Sequence, residues 1–312
     1  MQIPATLVKK VVRCFGPEGE SWLERLPHLY EACLSKWRLT NIQISSVISF
    51  NYVCFATSPD YGEVALKIGV PHNELFTEIT ALNIYEGRSI CKCFAYDLEL
   101  GAMLLERIKP GRDLTSLLSS DERLQAASRL VAQLPVPLQR GHVLPLWSDL
   151  AQRTFGKLRV QNSAGPQMTA LVNLAEEMIQ QLENSGRPLV LLHGDLNHWN
   201  ILLDQDGQWK AIDPKGQVGV AAMETSRFIL NELDISAPTA PAQLLSHMTE
   251  AFAKELKEPQ HIIAQCAFLD KALSTSWKFE EHQKRDLTAD VEECKFYLDF
   301  YERIKGDQDP IS

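Results

Sequence analysis

The stretch Val190–Gly216, VLLHGDLNHWNILLDQDGQWKAIDPKG, sets His193, Asp195, Asn197, His198, Asn200 and Asp213 around two short apolar runs. Ile201–Leu203 and Trp209–Ile212 read as the arms of a β-hairpin, with Asp204–Gly207 as its turn. Folding that hairpin carries Asp213 back to Asn200 at the open end. Asp195 lies on the short loop leading into the first arm, so one amide oxygen and two carboxylates come to face a common space. The turn DQDG needs no function to explain it, because Asp, Asn and Gly bond their own backbone in turns. The polar residues at both open ends of the hairpin are a different matter.

That set suits phosphoryl transfer from a nucleotide. Magnesium takes hard oxygen ligands from one or two side chains and fills the rest of its shell with phosphate and water, a role open to Asn200 and Asp213. Asp195 stands where a substrate hydroxyl must lose its proton. The interval from Asp195 to Asn200 is that of the kinase catalytic loop, Asp followed by four residues and Asn. His198 shows no partner in the local sequence and reads as a packing or hydrogen-bonding histidine.

A kinase site also needs a lysine on a strand to hold phosphates and an acid on the next helix to position it. VALK, Val64–Lys67, differs from the protein-kinase pattern VAIK by one residue. Strand alternation puts Ala65 and Lys67 on one face and Val64, Leu66 and Ile68 on the other. Of the two acids on the following helix, Glu78 is the expected partner, since Glu74 lies nearer the helix start and suits the dipole there. AMLLERIKPG reads as a last strand entering a hinge, whose backbone groups at Glu106 and Ile108 are candidates for the adenine edge. ISSVISFNYV contains no glycine, so it is not a glycine-rich phosphate loop. Ser45, Ser46 and Ser49 offer hydroxyls or amides to phosphate, Ser46 being the candidate taken here, and a serine-rich turn is the equal alternative.

Around these motifs the chain alternates between two textures. Glu20–Trp37 has the stripe of an amphipathic helix with a break near Pro27. Ile42–Ile68 gives short β-branched runs, Asn73 opens a helix carrying Leu75, Ile79 and Leu82, and CKCFAYDLELGAMLLERI gives two strands. After IKPGRDL the pattern becomes helical over Leu114–Leu134, Trp147–Leu158, Pro166–Leu182, Ala242–Leu256, Pro259–Trp277 and Lys284–Lys305. The expectation is an α+β fold: residues 1–108 as a small mixed-sheet lobe with an N-terminal helical extension, and residues 109–312 as a mainly helical lobe.

Composition narrows the class. The 312 residues are 45% hydrophobic and 23% charged, with a formal net charge of −9, which argues against a nucleic-acid binder. No apolar run approaches a membrane span and no secretory signal is recognisable. Seven scattered cysteines make a poor disulfide framework, and the Cys91/Cys93 pair lacks the second pair a metal site wants. A cytoplasmic protein is expected. The acids Glu280, Glu281, Asp286, Asp290, Glu292 and Glu293 could line a pocket for a polycation or form solvated helix faces.

HGDLNHWN followed by AIDPKG resembles the aminoglycoside phosphotransferases. GPEGESWLERLPHLYEACLSKWRL, Gly16–Leu39, is similar to the branch containing streptomycin 6-kinases and hydroxyurea phosphotransferases. The resemblance implies a protein-kinase-like bilobal fold that uses ATP and Mg²⁺ to phosphorylate a hydroxyl of a small molecule. It also implies Asp195 as base, Asn200 and Asp213 as metal ligands, and Lys67 on the phosphates. There are departures: residue 197 is Asn where such kinases often carry His, and Val220 stands where an acid is common, with Glu224 the substitute anchor for that loop. The acceptor and the oligomeric state are not identified. A metabolic kinase acting on a sugar, amino alcohol or nucleoside, and a catalytically silent nucleotide-binding regulator, are the alternatives.

Overall fold

The computed structural model describes residues 3–45, 50–138, 143–161, 165–281 and 287–308. The chain forms two compact units, Met1–Gly111 with Leu203–Ile212, and Arg112–Leu202 with Asp213–Ser312. The division is less simple than a cut between residues 108 and 109, because the hairpin tip clusters with the first unit.

In the first unit, helix α1 (Ala5–Lys36) precedes strands β1 (Thr40–Ile44), β2 (Tyr52–Ser58) and β3 (Gly62–Ile68). Helix α2 (Asn73–Tyr85) and strands β4 (Cys93–Asp97) and β5 (Ala102–Glu106) follow. The sheet order is β1-β2-β3-β5-β4. Every pairing is antiparallel, so the sheet expected to be mixed is of one kind. Trp22, Leu26, Tyr30 and Cys33 of α1 join Tyr52, Cys54, Val64, Leu66, Ile68 and Leu104 in one apolar core. That covers the face of β3 carrying Val64, Leu66 and Ile68 and assigns Ala65 and Lys67 to the other, as alternation requires.

Two features of α1 depart from the expectation. The helical path begins at Ala5, with Leu7 and Val11 buried one turn apart, and Gly16 interrupts it at φ 54°. A left-handed residue there favours glycine. Pro27 lies inside the helix without ending it, since the apolar stripe on both sides is buried against the sheet.

The second unit contains helices α3 (Ser120–Gln133), α4 (Trp147–Gln161), α5 (Gly165–Glu183), α6 (Ser226–Ser236), α7 (Pro241–Leu256), α8 (Gln260–Glu281) and α9 (Thr288–Gln308). The helix expected over Leu114–Leu134 is a 3-10 turn, Leu114–Ser116, followed by α3. Ser119 separates them by capping α3, its hydroxyl accepting from Glu122 N–H. Helix α8 is buried nearly all round at Ile263, Cys266, Ala267, Phe268 and Leu273, so it forms the unit's centre.

A small sheet, β10-β7-β6, orders the remaining chain: β6 is Val136–Pro137, β7 Leu189–Leu192 and β10 Gln217–Val220. Both pairings are antiparallel. Strand β10 gives little sequence signal because Gly219 interrupts it. A Cβ at that position would lie 2.9 Å from Leu192 Cδ1, which explains glycine within a strand. Strands β8 (Ile201–Leu203) and β9 (Trp209–Ala211) form the hairpin. No described helix is long and apolar enough to cross a membrane.

Candidate active site

Strand β7 ends at Leu192, and the loop that follows carries the candidate chemistry. Gly194 sits at φ 79°, and a Cβ on it would meet Gln217 Oε1 at 2.8 Å. The positive φ restricts the turn to glycine, and a side chain there would also have to displace the end of Gln217. Asp195 N–H donates to Nδ1 of the buried His193 at 3.3 Å, and Lys215 N–H donates to His193 O at 2.7 Å. These bonds tie the loop to the chain that leaves the hairpin.

Asn197 then starts a 3-10 turn, His198–Asn200, by accepting from Trp199 N–H at 3.0 Å and Asn200 N–H at 3.2 Å through its side-chain oxygen. Its amide Nδ2 donates to Asp195 Oδ1 at 3.2 Å. Both ends of Asn197 are thus committed within the loop, and one of them orients the Asp195 carboxylate. Asn200 Nδ2 donates to Asp195 O at 2.9 Å. That leaves the Asn200 side-chain oxygen as the atom available to a hard cation.

The hairpin closes with Asp204 N–H donating to Gln208 O at 2.8 Å. Counting back from that pair places Asn200 across from Ile212, next to Asp213. Asp213 has φ 59°, a left-handed conformation that Asp tolerates better than most residues. Asn200 and Asp213 carry one amide oxygen and one carboxylate, donors of the hard-oxygen kind that Mg²⁺ accepts. Among the described residues no cluster of three or more His, Cys, Asp or Glu is arranged to hold a metal.

Glu224 anchors the loop from a 3-10 turn, Ala221–Thr225. Its carboxylate is 2% exposed and accepts from His193 N–H at 2.6 Å and Gly194 N–H at 3.1 Å. Burial pushes the carboxyl up to about 7, against the two N–H groups that favour its charge, and the nearby Asp195 charge adds to the rise. Val220 is a buried strand residue, so the anchoring falls to Glu224. Asp270 of α8 is also buried and pairs with Arg227 at 3.1 Å. Burial raises its carboxyl, Arg227 opposes that, and the Asp195 charge raises it further.

Local sequence gives no hint of Glu232 and Arg123. Glu232 accepts from Arg123 Nε at 2.8 Å and Nη2 at 2.6 Å, and from His198 Nε2 at 2.6 Å. Burial alone would raise the Glu232 carboxyl; Arg123, His198 and Ser236 outweigh it and hold the group well below the usual carboxylate range.

In the first unit, Lys67 Nζ meets Glu78 Oε1 at 2.6 Å, the two side chains 4% and 9% exposed. Glu78 shares the buried face of α2 with Leu75, Ile79 and Leu82, whereas Glu74 is exposed. The helix is preceded by His72 as cap residue, and Asn73 is its first turn. Glu106 N–H donates to Lys92 O at 2.8 Å, and its carboxylate accepts from Lys92 N–H and from Lys210 Nζ. Ile108 is buried just beyond β5. Ser46 and Ser49 lie outside the described residues, and Ser45 N–H donates to Val53 O at 3.1 Å.

The acids of the last helices divide. Asp290 pairs with Lys278, Glu292 with Lys295 and Glu293 with Lys271. Each of the three has a basic partner, but only the Glu292–Lys295 pair is open to solvent on both sides; Asp290 and Lys271 are mostly buried. The side chains of Glu280, Glu281 and Asp286 lie outside the described residues.

A family profile described as aminoglycoside/hydroxyurea antibiotic resistance kinase matches residues 58–282. Streptomycin 6-kinase of Streptomyces glaucescens is 30% identical over 224 residues, covering 70% of this chain and 71% of that protein. Hydroxyurea phosphotransferase of Kitasatospora aureofaciens is 30% identical over 237 residues, 74% of this chain and 68% of that protein. A crystal structure of a choline/ethanolamine kinase family protein from Mesorhizobium loti aligns with a TM-score of 0.64 and 13% identity. The alignment covers 89% of this chain and 98% of that one. At that identity the likeness is one of fold, and the fold shared is the protein-kinase-like one.

Proposed function

We infer that the chain, which belongs to the aminoglycoside/hydroxyurea antibiotic resistance kinase family, is a phosphotransferase acting on a hydroxyl group. We propose that it transfers the γ-phosphate of ATP to a hydroxyl of an aminoglycoside such as streptomycin. The observation that carries this reading is the turn from Asp195 to Asn200, in which the Asn200 amide is tied to the Asp195 carbonyl and the Asp195 carboxylate is oriented by Asn197.

Asp195 accepts the proton of the acceptor hydroxyl as the O–P bond forms, late in a loose transition state. Asn200 and Asp213 would hold Mg²⁺ through their side-chain oxygens, and the ion would supply positive charge against the charge that develops on the phosphates. Lys67, held by Glu78, pairs with the α and β phosphates, and the Glu106 carbonyl with the Ile108 N–H receives the adenine edge. The net charge of −9 favours a cationic acceptor.

ADP release measured with streptomycin, hydroxyurea, a sugar, an amino alcohol and a nucleoside tests the acceptor. Streptomycin is expected to stimulate release and to gain the mass of one phosphoryl group. Stimulation by the sugar, amino alcohol or nucleoside without streptomycin would replace this reading by a metabolic one, and nucleotide binding with no stimulation would point to a silent regulator.

A further inference from the structure

Behind the turn His198–Asn200 lies a carboxylate that touches none of the groups assigned to the reaction. Glu232 of α6 is 0% exposed. Oε2 accepts from His198 Nε2 at 2.6 Å and Arg123 Nε at 2.8 Å, while Oε1 accepts from Arg123 Nη2 at 2.6 Å and from Ser236 Oγ. Arg123 Nη1 in turn donates to Leu117 O at 2.7 Å. A two-pronged guanidinium contact of this kind fixes the plane of a carboxylate as well as its charge. The direction of the lone pair offered to His198 is therefore set by α3 and α6 together.

Phe228 lies four residues before Glu232, so both project from one face of α6. Its ring stacks on His198 with centroids 4.5 Å apart and planes 13° from parallel. The stack sets the plane of the imidazole, and the bond to Glu232 sets the direction of Nε2 within that plane. His198 Nδ1 is buried and has no hydrogen-bond partner. Among the described residues Glu232 is thus the ring's hydrogen-bonded anchor. The ring belongs to the turn that runs from Asp195 to Asn200.

We propose that Glu232, braced by Arg123, is a positioning residue for phosphoryl transfer, and that through His198 Nε2 it fixes the orientation of the turn carrying Asp195 and Asn200. The inference rests on the assignment of those two residues above. A catalytic group displaced by about 1 Å loses on the order of a hundredfold in rate, which is why a fully buried network behind the loop bears on kcat.

Two substitutions separate the hydrogen bond from the packing. His198→Phe keeps the ring stacked on Phe228 and removes the N–H; His198→Gln gives up the ring and keeps an amide N–H at similar reach. With ATP and the best acceptor of the panel, His198→Phe is expected to lower kcat by about tenfold to a hundredfold while KM for ATP stays within about twofold. His198→Gln is expected to recover most of kcat. The reverse order, with the Phe variant active and the Gln variant impaired, would show that the ring only packs and would overturn the proposal.

Amide hydrogen exchange over residues 195–200, read without acceptor, keeps this inference separate from the assignment it rests on. If the wild-type protein transfers phosphate to nothing, the functional reading fails and exchange decides the positioning claim. Faster exchange in His198→Phe alone supports it, and equal exchange in both variants contradicts it.

Discussion

Lys67 is held by the register of a strand, whereas Asp195 and Asn200 are held by side chains that arrive from far along the chain. In the first unit, β3 is paired on both sides, Val53 and Met103 facing Lys67, and one buried carboxylate on the next helix completes the setting. In the second, the loop between Leu192 and Ile201 has no ladder to lie in. Its first two backbone N–H groups, of His193 and Gly194, are taken by Glu224, and its 3-10 turn is gripped by Glu232, each from beyond the hairpin. Regular structure positions a residue through hydrogen bonds every chain possesses. Irregular structure needs dedicated partners, and each of them is a buried charge that must itself be satisfied.

This contrast can be broken most forcefully at Arg123. Arg123→Met leaves Glu232 buried without its main counter-charge, and about 3–5 kcal/mol of stability should be lost, read as a lower urea midpoint. An unchanged midpoint would mean that the network does not hold the second unit together. At Lys67 the effect falls on function as well as stability: Lys67→Met leaves the buried Glu78 carboxylate without its cation and removes one charge-assisted hydrogen bond of about 1.5–3 kcal/mol, so kcat/KM for ATP should fall by roughly tenfold to a hundredfold.

Glu224 sharpens the comparison through pH. Its carboxyl rises from 4.5 to about 7 on folding, so the native state keeps a proton that the unfolded state releases. Stability should therefore decrease as pH rises from about 4.5 to about 7, by up to about 3 kcal/mol from this group, and level off above. Activity should change in the opposite sense, because only the ionised carboxylate can accept both loop N–H groups without itself carrying a proton. Glu224→Gln should abolish the stability slope over that interval and cost about 1–3 kcal/mol at neutral pH by leaving a buried N–H unpaired. A slope that persists in the variant would assign it to another group. The smallest effect belongs at the surface, where Lys295→Ala removes an exposed pair with Glu292 and should shift stability by less than about 1 kcal/mol.

The features carried by local pattern are the ones legible in the sequence. VALK follows from a short motif, the preference for Glu78 over Glu74 from the helix dipole, and the hairpin from Ile201 from alternation and turn chemistry, and the resemblance in HGDLNHWN agrees with the family match. What escaped depended on distance or on packing. Arg123 and Glu232 are 109 residues apart, so no local window joins them. The early turns of α1 were obscured by Pro4 and the lysines between Leu7 and Val11, and they form because those two residues are buried. Strand β10 was hidden by Gly219, whose missing side chain is what lets β10 approach Leu192. His198 illustrates the boundary: its reading leaves packing and hydrogen bonding both open, and the fold supplies a partner for each, Phe228 and Glu232.

The central claim is that Asp195 takes the proton of an acceptor hydroxyl on a loop that otherwise only binds nucleotide and metal. Single-turnover transfer from Mg²⁺–ATP to streptomycin, compared between the wild-type protein and Asp195→Asn with nucleotide binding measured on the same samples, tests it most directly. The account predicts a loss of about 10²–10⁴-fold in the transfer rate with nucleotide affinity nearly unchanged. Transfer at the wild-type rate by Asp195→Asn would contradict it.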